Sequence, residues 1–194
     1  MAWVMAARAQ AKRTASETKK AGLLWIPFVD MIVFPKAVIE RFAAQIVDPN
    51  SGKIQWNDAC RKIVQAMLNE TVSVYGDLLD GILVRTGETY VFDTPYHAGN
   101  SPTSTCGQNT SCQQAVWVDF ITELRQQMCV DRASRVFFRA WDSFGGWSGD
   151  PQYYLNVTNP VEPHDLLYFS VKHTAGDFFQ FMAWNQQLAV GKHA

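Results

Sequence analysis

The sequence predicts an α/β fold built on a parallel sheet, from three observations. Apolar runs of strand length recur and end in charged residues: DGILVRTGETYVFD from Asp80 to Asp93, LLWIPFVD from Leu23 to Asp30, RVFFRAWD from Arg135 to Asp142, and LLYFSVKHTAGD from Leu166 to Asp177. In the first of these, Ile82-Leu83-Val84 is apolar at consecutive positions, which suits a strand covered on both faces. Helical patterns lie between the runs, so the chain reads as strand–helix units. Finally, Arg, Lys, Asp and Glu gather where the runs stop, as at the carboxyl end of a β/α sheet.

Residues 1 to about 20 are Ala-rich and predict a helix. Gly22 then introduces the first strand, Leu23 to Val29, which Pro27 marks as irregular or edge-like, with Asp30 at its end. KAVIERFAAQI, from Lys36 to Ile46, has apolar positions at helical spacing, and Asp48 to Gly52 is a turn. Asn57 to Leu68 predicts a crossover helix with Asn57-Asp58 as its cap and Cys60, Ile63, Val64 and Met67 on one stripe. After the central strand, Thr94 to Ser111 is expected to be a long polar loop of the kind that serves binding. Gln114 to Met128 predicts a helix with Val116, Phe120, Ile121 and Leu124 inward. The strand at Val136 to Phe138 is followed by an expected aromatic loop over Ser143 to Tyr154. The strand Leu167 to Val171 and a fifth at Leu188 to Val190 complete the count.

With 194 residues the chain predicts one domain, residues 1–194, shorter than the roughly 250 residues of a closed (β/α)₈ barrel. Four to five strand–helix units therefore predict a partial TIM barrel, incomplete at its C-terminus. A composition 47% hydrophobic and 18% charged excludes a disordered chain. Net charge is −1, so no clustered basic excess points to nucleic acid. The cations Arg8, Lys12, Arg13, Lys19 and Lys20 read as a solvated helix face. No apolar run reaches the roughly 18 residues of a membrane span, and the first residues lack a secretory-signal pattern. Cys106 and Cys112 bracket CGQNTSC, where a bridge is geometrically easy in an oxidising compartment, which favours an extracellular location.

Glu88 and Asp177 are the candidate catalytic pair. Glycosidic hydrolysis needs one carboxyl group to protonate the leaving oxygen and a second to activate water or attack. Either acid could instead cap a helix or pair with a neighbouring Arg. Arg85, Arg139 and Lys172, each at a predicted strand end, form a cationic set suited to a substrate that carries a carboxylate. Trp141 and His173 join them as candidate substrate contacts. His97, His164 and His173 with Asp177 could be read as metal ligands of a barrel hydrolase, yet no HxH or HExxH spacing supports a metal, and no cofactor motif is present.

VRTGE, FFRAW and VKHTAGDF, in this order over residues 80 to 180, resemble the catalytic barrel of α-glucuronidases, the glycoside hydrolases of family 67 and relatives. That resemblance implies an inverting mechanism on uronic-acid-bearing glycans such as xylan fragments. It implies Glu88 as acid, Asp177 as base, and Arg85, Arg139 and Lys172 as holders of the sugar carboxylate. TYVFDTP follows Glu88 where the family has a Gly-Pro-containing run, and a further Glu strand of the family would fall beyond Ala194. The alternative is a non-catalytic carbohydrate-binding or scaffold half-barrel, with Trp141, Trp147, Tyr153 and Trp184 stacking on sugar.

Overall fold

A computed structural model describes residues 2–86, 94–99, 101–140, 149–173, 184–188 and 190–193. Helix α1, Ala2–Lys20, is the predicted first helix. It ends where Gly22 adopts φ +74°, with the Gly22 amide bonded to the Lys19 carbonyl and the Leu23 amide to the Thr18 carbonyl. This is a Schellman stop, which the missing Cβ of glycine permits. Lys19 also reaches Asp80 Oδ1 at 2.6 Å, and the Trp25 amide donates to Asp80 Oδ2 at 2.8 Å. Burial opposes the charge on Asp80, but these two bonds and the Lys19 and Arg135 charges outweigh it and hold the carboxyl below the usual range. The helix end is thereby tied to the amino end of the sheet.

Strand β1 spans only Phe28–Asp30, much less than the run beginning at Leu23 predicts. Leu23 and Leu24 are exposed, and Pro27, with no N–H to give a ladder, enters the sheet only through its carbonyl, which accepts from the Leu83 amide. The short β2, Phe34–Pro35, leads into α2, Lys36–Ile46, at the predicted bounds. The longer α3, Asp58–Tyr75, is capped by Asn57, whose side chain accepts from the Cys60 amide, and it buries Cys60, Val64 and Leu68. Strand β3 is Gly81–Arg85.

The segment expected to be a loop from Thr94 holds β4, His97–Ala98, which pairs antiparallel with β2. It also holds the first turn of α4, Thr110–Leu124, which starts earlier than expected because Asn109 caps it within the cysteine bracket. Cys106 and Cys112 are disulfide-bonded. A π-helical turn, Arg125–Val130, carries α4 towards β5, Arg135–Arg139. Helix α5, Pro151–Thr158, occupies part of the expected aromatic loop; Asp150 accepts from the Gln152 and Tyr153 amides, and Pro151 sits in the first turn. Strand β6 is Leu167–Ser170. Leu188 and Val190 lie outside any strand, which removes the fifth.

The main sheet has the order β1-β3-β5-β6, with every neighbouring pair parallel. Each strand is thus added beside its predecessor, on one side only. Partners in register share a face, so Val29, Val84, Phe138 and Phe169 lie on one side and Phe28, Leu83, Phe137 and Tyr168 on the other. Helices cover the first side. Trp117 and Phe120 of α4 meet the Phe138 ring at 5.9 and 6.1 Å, and Tyr154 of α5 meets Phe169 at 6.0 Å. The protein is therefore an α/β fold with a four-stranded parallel sheet and helices packed on it.

Candidate functional site

The register places a polar row at the carboxyl ends of the strands. Asp30 pairs with Arg85 and Arg139 with Ser170; one residue beyond the Val84–Phe138 pair, Arg85 and Arg139 fall side by side. All four share the side that carries Phe28, Leu83, Phe137 and Tyr168. Lys172 and His173 follow β6 at the same end. The cations predicted at strand ends thus do gather at one edge of the sheet.

Arg85 is held rather than loose. Its Nε donates to Asp30 Oδ1 at 2.7 Å and its Nη2 to Asp30 Oδ2 at 3.0 Å, a fork-to-fork contact. The two side chains are 29% and 24% exposed, so water screens the pair only in part. The guanidinium carbon also lies 5.8 Å from the centre of the Phe28 ring, within cation–π range. Two of the five N–H donors of Arg85 are committed to Asp30, which fixes the plane in which the others point. Asp30 was legible as a strand-end acid, but its pairing with Arg85 was not, because 55 residues separate them.

His173 packs against Trp184 with ring centroids 4.2 Å apart, and its carbonyl accepts from the Asn185 amide at 3.0 Å. Trp184 is 70% exposed beside it. Glu88, Asp177 and Trp141 lie outside the described residues, as does Trp147. Tyr153, expected to stack on sugar in a binding module, is buried, and its hydroxyl donates to Gln113 Oε1 at 3.5 Å, which removes it from that role.

The histidines do not converge. His97 is in β4, His173 follows the carboxyl end of β6, and His164 precedes its amino end, where Nδ1 accepts from the Leu166 amide. Among the described residues, no three His, Cys, Asp or Glu side chains are arranged to hold a metal ion. Burial pushes the Cys60 thiol up to about 12 and the Cys129 thiol to about 11, so neither is a ready nucleophile at neutral pH. No described helix is long and apolar enough to cross a membrane.

Comparison with protein-family models, with curated proteins and with solved structures found no match to this chain. The chemistry of the strand ends is therefore the ground on which a function rests.

Proposed function

We propose that the chain is part of a (β/α)₈ barrel, four strand–helix units long, whose carboxyl-end rim acts on a uronic-acid-bearing glycan as an α-glucuronidase-like glycoside hydrolase. The observation that carries this reading is the set of cations at the ends of three adjacent parallel strands: Arg85 on β3, Arg139 on β5 and Lys172 just beyond β6. Strands that follow chain order across a parallel sheet are the arrangement from which a barrel closes, and barrel enzymes place their chemistry at this end. Arg85, steadied by Asp30, and Arg139 would take the substrate carboxylate through paired N–H donors, while Lys172 adds a point charge. Glu88, three residues beyond Arg85, would protonate the leaving oxygen, and Asp177, five beyond Lys172, would activate water on the opposite face of the sugar. Inversion at that spacing needs the two carboxyl groups roughly 6.5–9.5 Å apart.

The test uses xylo-oligosaccharides substituted with glucuronic acid. Hydrolysis by the full chain should release the uronic acid as the inverted anomer, read by proton NMR early in the reaction. Glu88→Gln should lower kcat by about 10²–10⁴-fold, and Arg139→Ala should raise KM. Retention of configuration, or turnover unchanged in Glu88→Gln, would overturn the assigned roles.

A second reading, a non-catalytic carbohydrate-binding half-barrel, is favoured by one observation: the exposed Trp184 ring braced on His173 beside the same rim. Binding of these oligosaccharides without hydrolysis, at an affinity equal in Glu88→Gln and weakened in Trp184→Ala, would select it.

A further inference from the structure

A concavity of about 520 Å³, whose lining includes neither Arg85 nor Arg139, lies between the end of α2, the strand β4 and the disulfide loop. We propose that it is a binding site for a neutral sugar, one or two pyranose units, distinct from the rim and independent of the hydrolase reading. Its volume falls within the roughly 300–1,000 Å³ in which pockets enclose small ligands.

The lining chemistry selects the ligand class. Ile39, Val47 and Ile54 supply an aliphatic wall, and Ser101, Thr103, Ser104, Gln108 and Gln113 supply hydroxyl and carboxamide groups. Hydroxyls and carboxamides both donate and accept hydrogen bonds, which is the character of sugar hydroxyls. Among the described residues the lining holds no carboxylate, which disfavours metal cations and basic ligands. Among the described lining residues the one charged side chain is the exposed Lys53, whereas phosphate and sulfate are best held by several charge-assisted donors. A neutral polyol uses both halves of the lining, its C–H face on the aliphatic wall and its hydroxyls on the amides and alcohols.

The walls are also held in place. Val47 and Ile54 form an antiparallel bridge, and the Gln55 amide donates to the Ile46 carbonyl at 2.7 Å. Gly99 runs hard against the floor at φ +102°; a Cβ there would lie 2.3 Å from the Ile32 carbonyl oxygen and 2.5 Å from Ile54 Cδ1, so only glycine fits. On the far side the Cys106–Cys112 bridge closes the loop that carries Gly107 and Gln108, and Gln113 Nε2 donates to the Gly107 carbonyl at 2.6 Å. Ser101 and Thr103 are buried with their hydroxyls 2.8 Å apart. A groove built this way loses little freedom on binding, which favours even a small ligand.

The test is an amide-resolved NMR titration of the full chain with xylobiose, cellobiose and maltose in turn. At least one should shift the amides of Lys53, Gly99, Ser104 and Gln108, with Kd on the order of 1 mM or tighter. The double variant Lys53→Ala/Gln108→Ala, confined to exposed side chains, should weaken that binding at least about 5-fold, or roughly 1 kcal/mol, and Ser104→Leu should abolish it by filling the space. If none of the three sugars shifts these amides, or if shifts appear only along Arg85 and Arg139, the site does not exist. Groove shifts whose affinity is untouched by the double variant also overturn it, and that arm remains decisive should Ser104→Leu fail to fold. Hydrolysis of a uronate-bearing substrate plays no part in the readout, so the two proposals stand or fall separately.

Discussion

The two faces of the main sheet are made from alternate residues of the same strands, and they have opposite fates. On the helix-covered face, Ile82, Val84, Val136, Phe138 and Leu167 are buried. On the other, Leu83, Phe137 and Tyr168 are half-buried and Phe28 is 63% exposed. The apolar row of that second face continues, one pleat further, into Asp30, Arg85, Arg139 and Ser170. The covered face carries the core, and the open one leads into the polar row at the strand ends. Because side chains alternate with a period of two, a one-residue slip of any strand would exchange the two roles.

The comparison can be broken most directly at adjacent phenylalanines of β5. Phe138→Ala should cost about 3–5 kcal/mol of unfolding free energy, as a large ring lost from a packed core does. Phe137→Ala should cost about 1 kcal/mol, since its ring stacks on Tyr168 at 4.8 Å but remains half-buried. Equal midpoint shifts in urea unfolding would show that both faces are cores. An effect between these two should come from Gly81→Ala at the foot of the open face, where a Cβ would lie 2.4 Å from the Arg135 carbonyl oxygen. Pushing β3 from β5 there should cost about 1–3 kcal/mol, and a neutral outcome in thermal unfolding would mean the strands part more easily than their register suggests.

Asp30→Asn should cost about 1 kcal/mol or less in stability and should make Arg85 less ordered without disturbing Phe138. Crystallographic or NMR measurement of the Arg85 side chain would test this; an unmoved guanidinium would mean Asp30 does not hold it. The smallest effect belongs to the edge of the covered face, where the His193 ring sits 4.9 Å from Phe169 and its Nε2 bonds the Thr158 carbonyl at 2.8 Å. Burial first, with Lys192 and Arg125 nearby, holds His193 below the ordinary histidine range, against the support of the Thr158 and Val161 carbonyls. The unfolded chain thus binds a proton more readily than the fold does. Its contribution to stability is complete above about pH 6.5 and is lost as pH falls from there. His193→Gln should flatten that part of the pH–stability curve, and an unchanged slope would remove His193 as its source.

Much of this was readable beforehand where local signals agreed. The helix from Lys36 to Ile46 appears as predicted because its apolar spacing is regular and Pro35 precedes it. The same attention to caps would have found α5, whose start is spelled out by Asp150-Pro151, and the earlier start of α4 at Asn109. The β2–β4 ladder was not readable, since two paired residues leave no periodic trace. The groove beside the disulfide was equally hidden, because its walls come from three segments that meet only in space.

From the sequence by itself came the parallel-sheet class, the strand-end positions of Arg85, Arg139 and Lys172, and the loop that Cys106 and Cys112 close. These depend on neighbours a few residues away, where apolar runs and turn residues act directly on the backbone. The tertiary structure alone decided that β1 lies beside β3 and β3 beside β5, and that their register sets Asp30 against Arg85. Those outcomes depend on hydrogen bonds and packing between residues some fifty positions apart, chosen by which face the helices could bury.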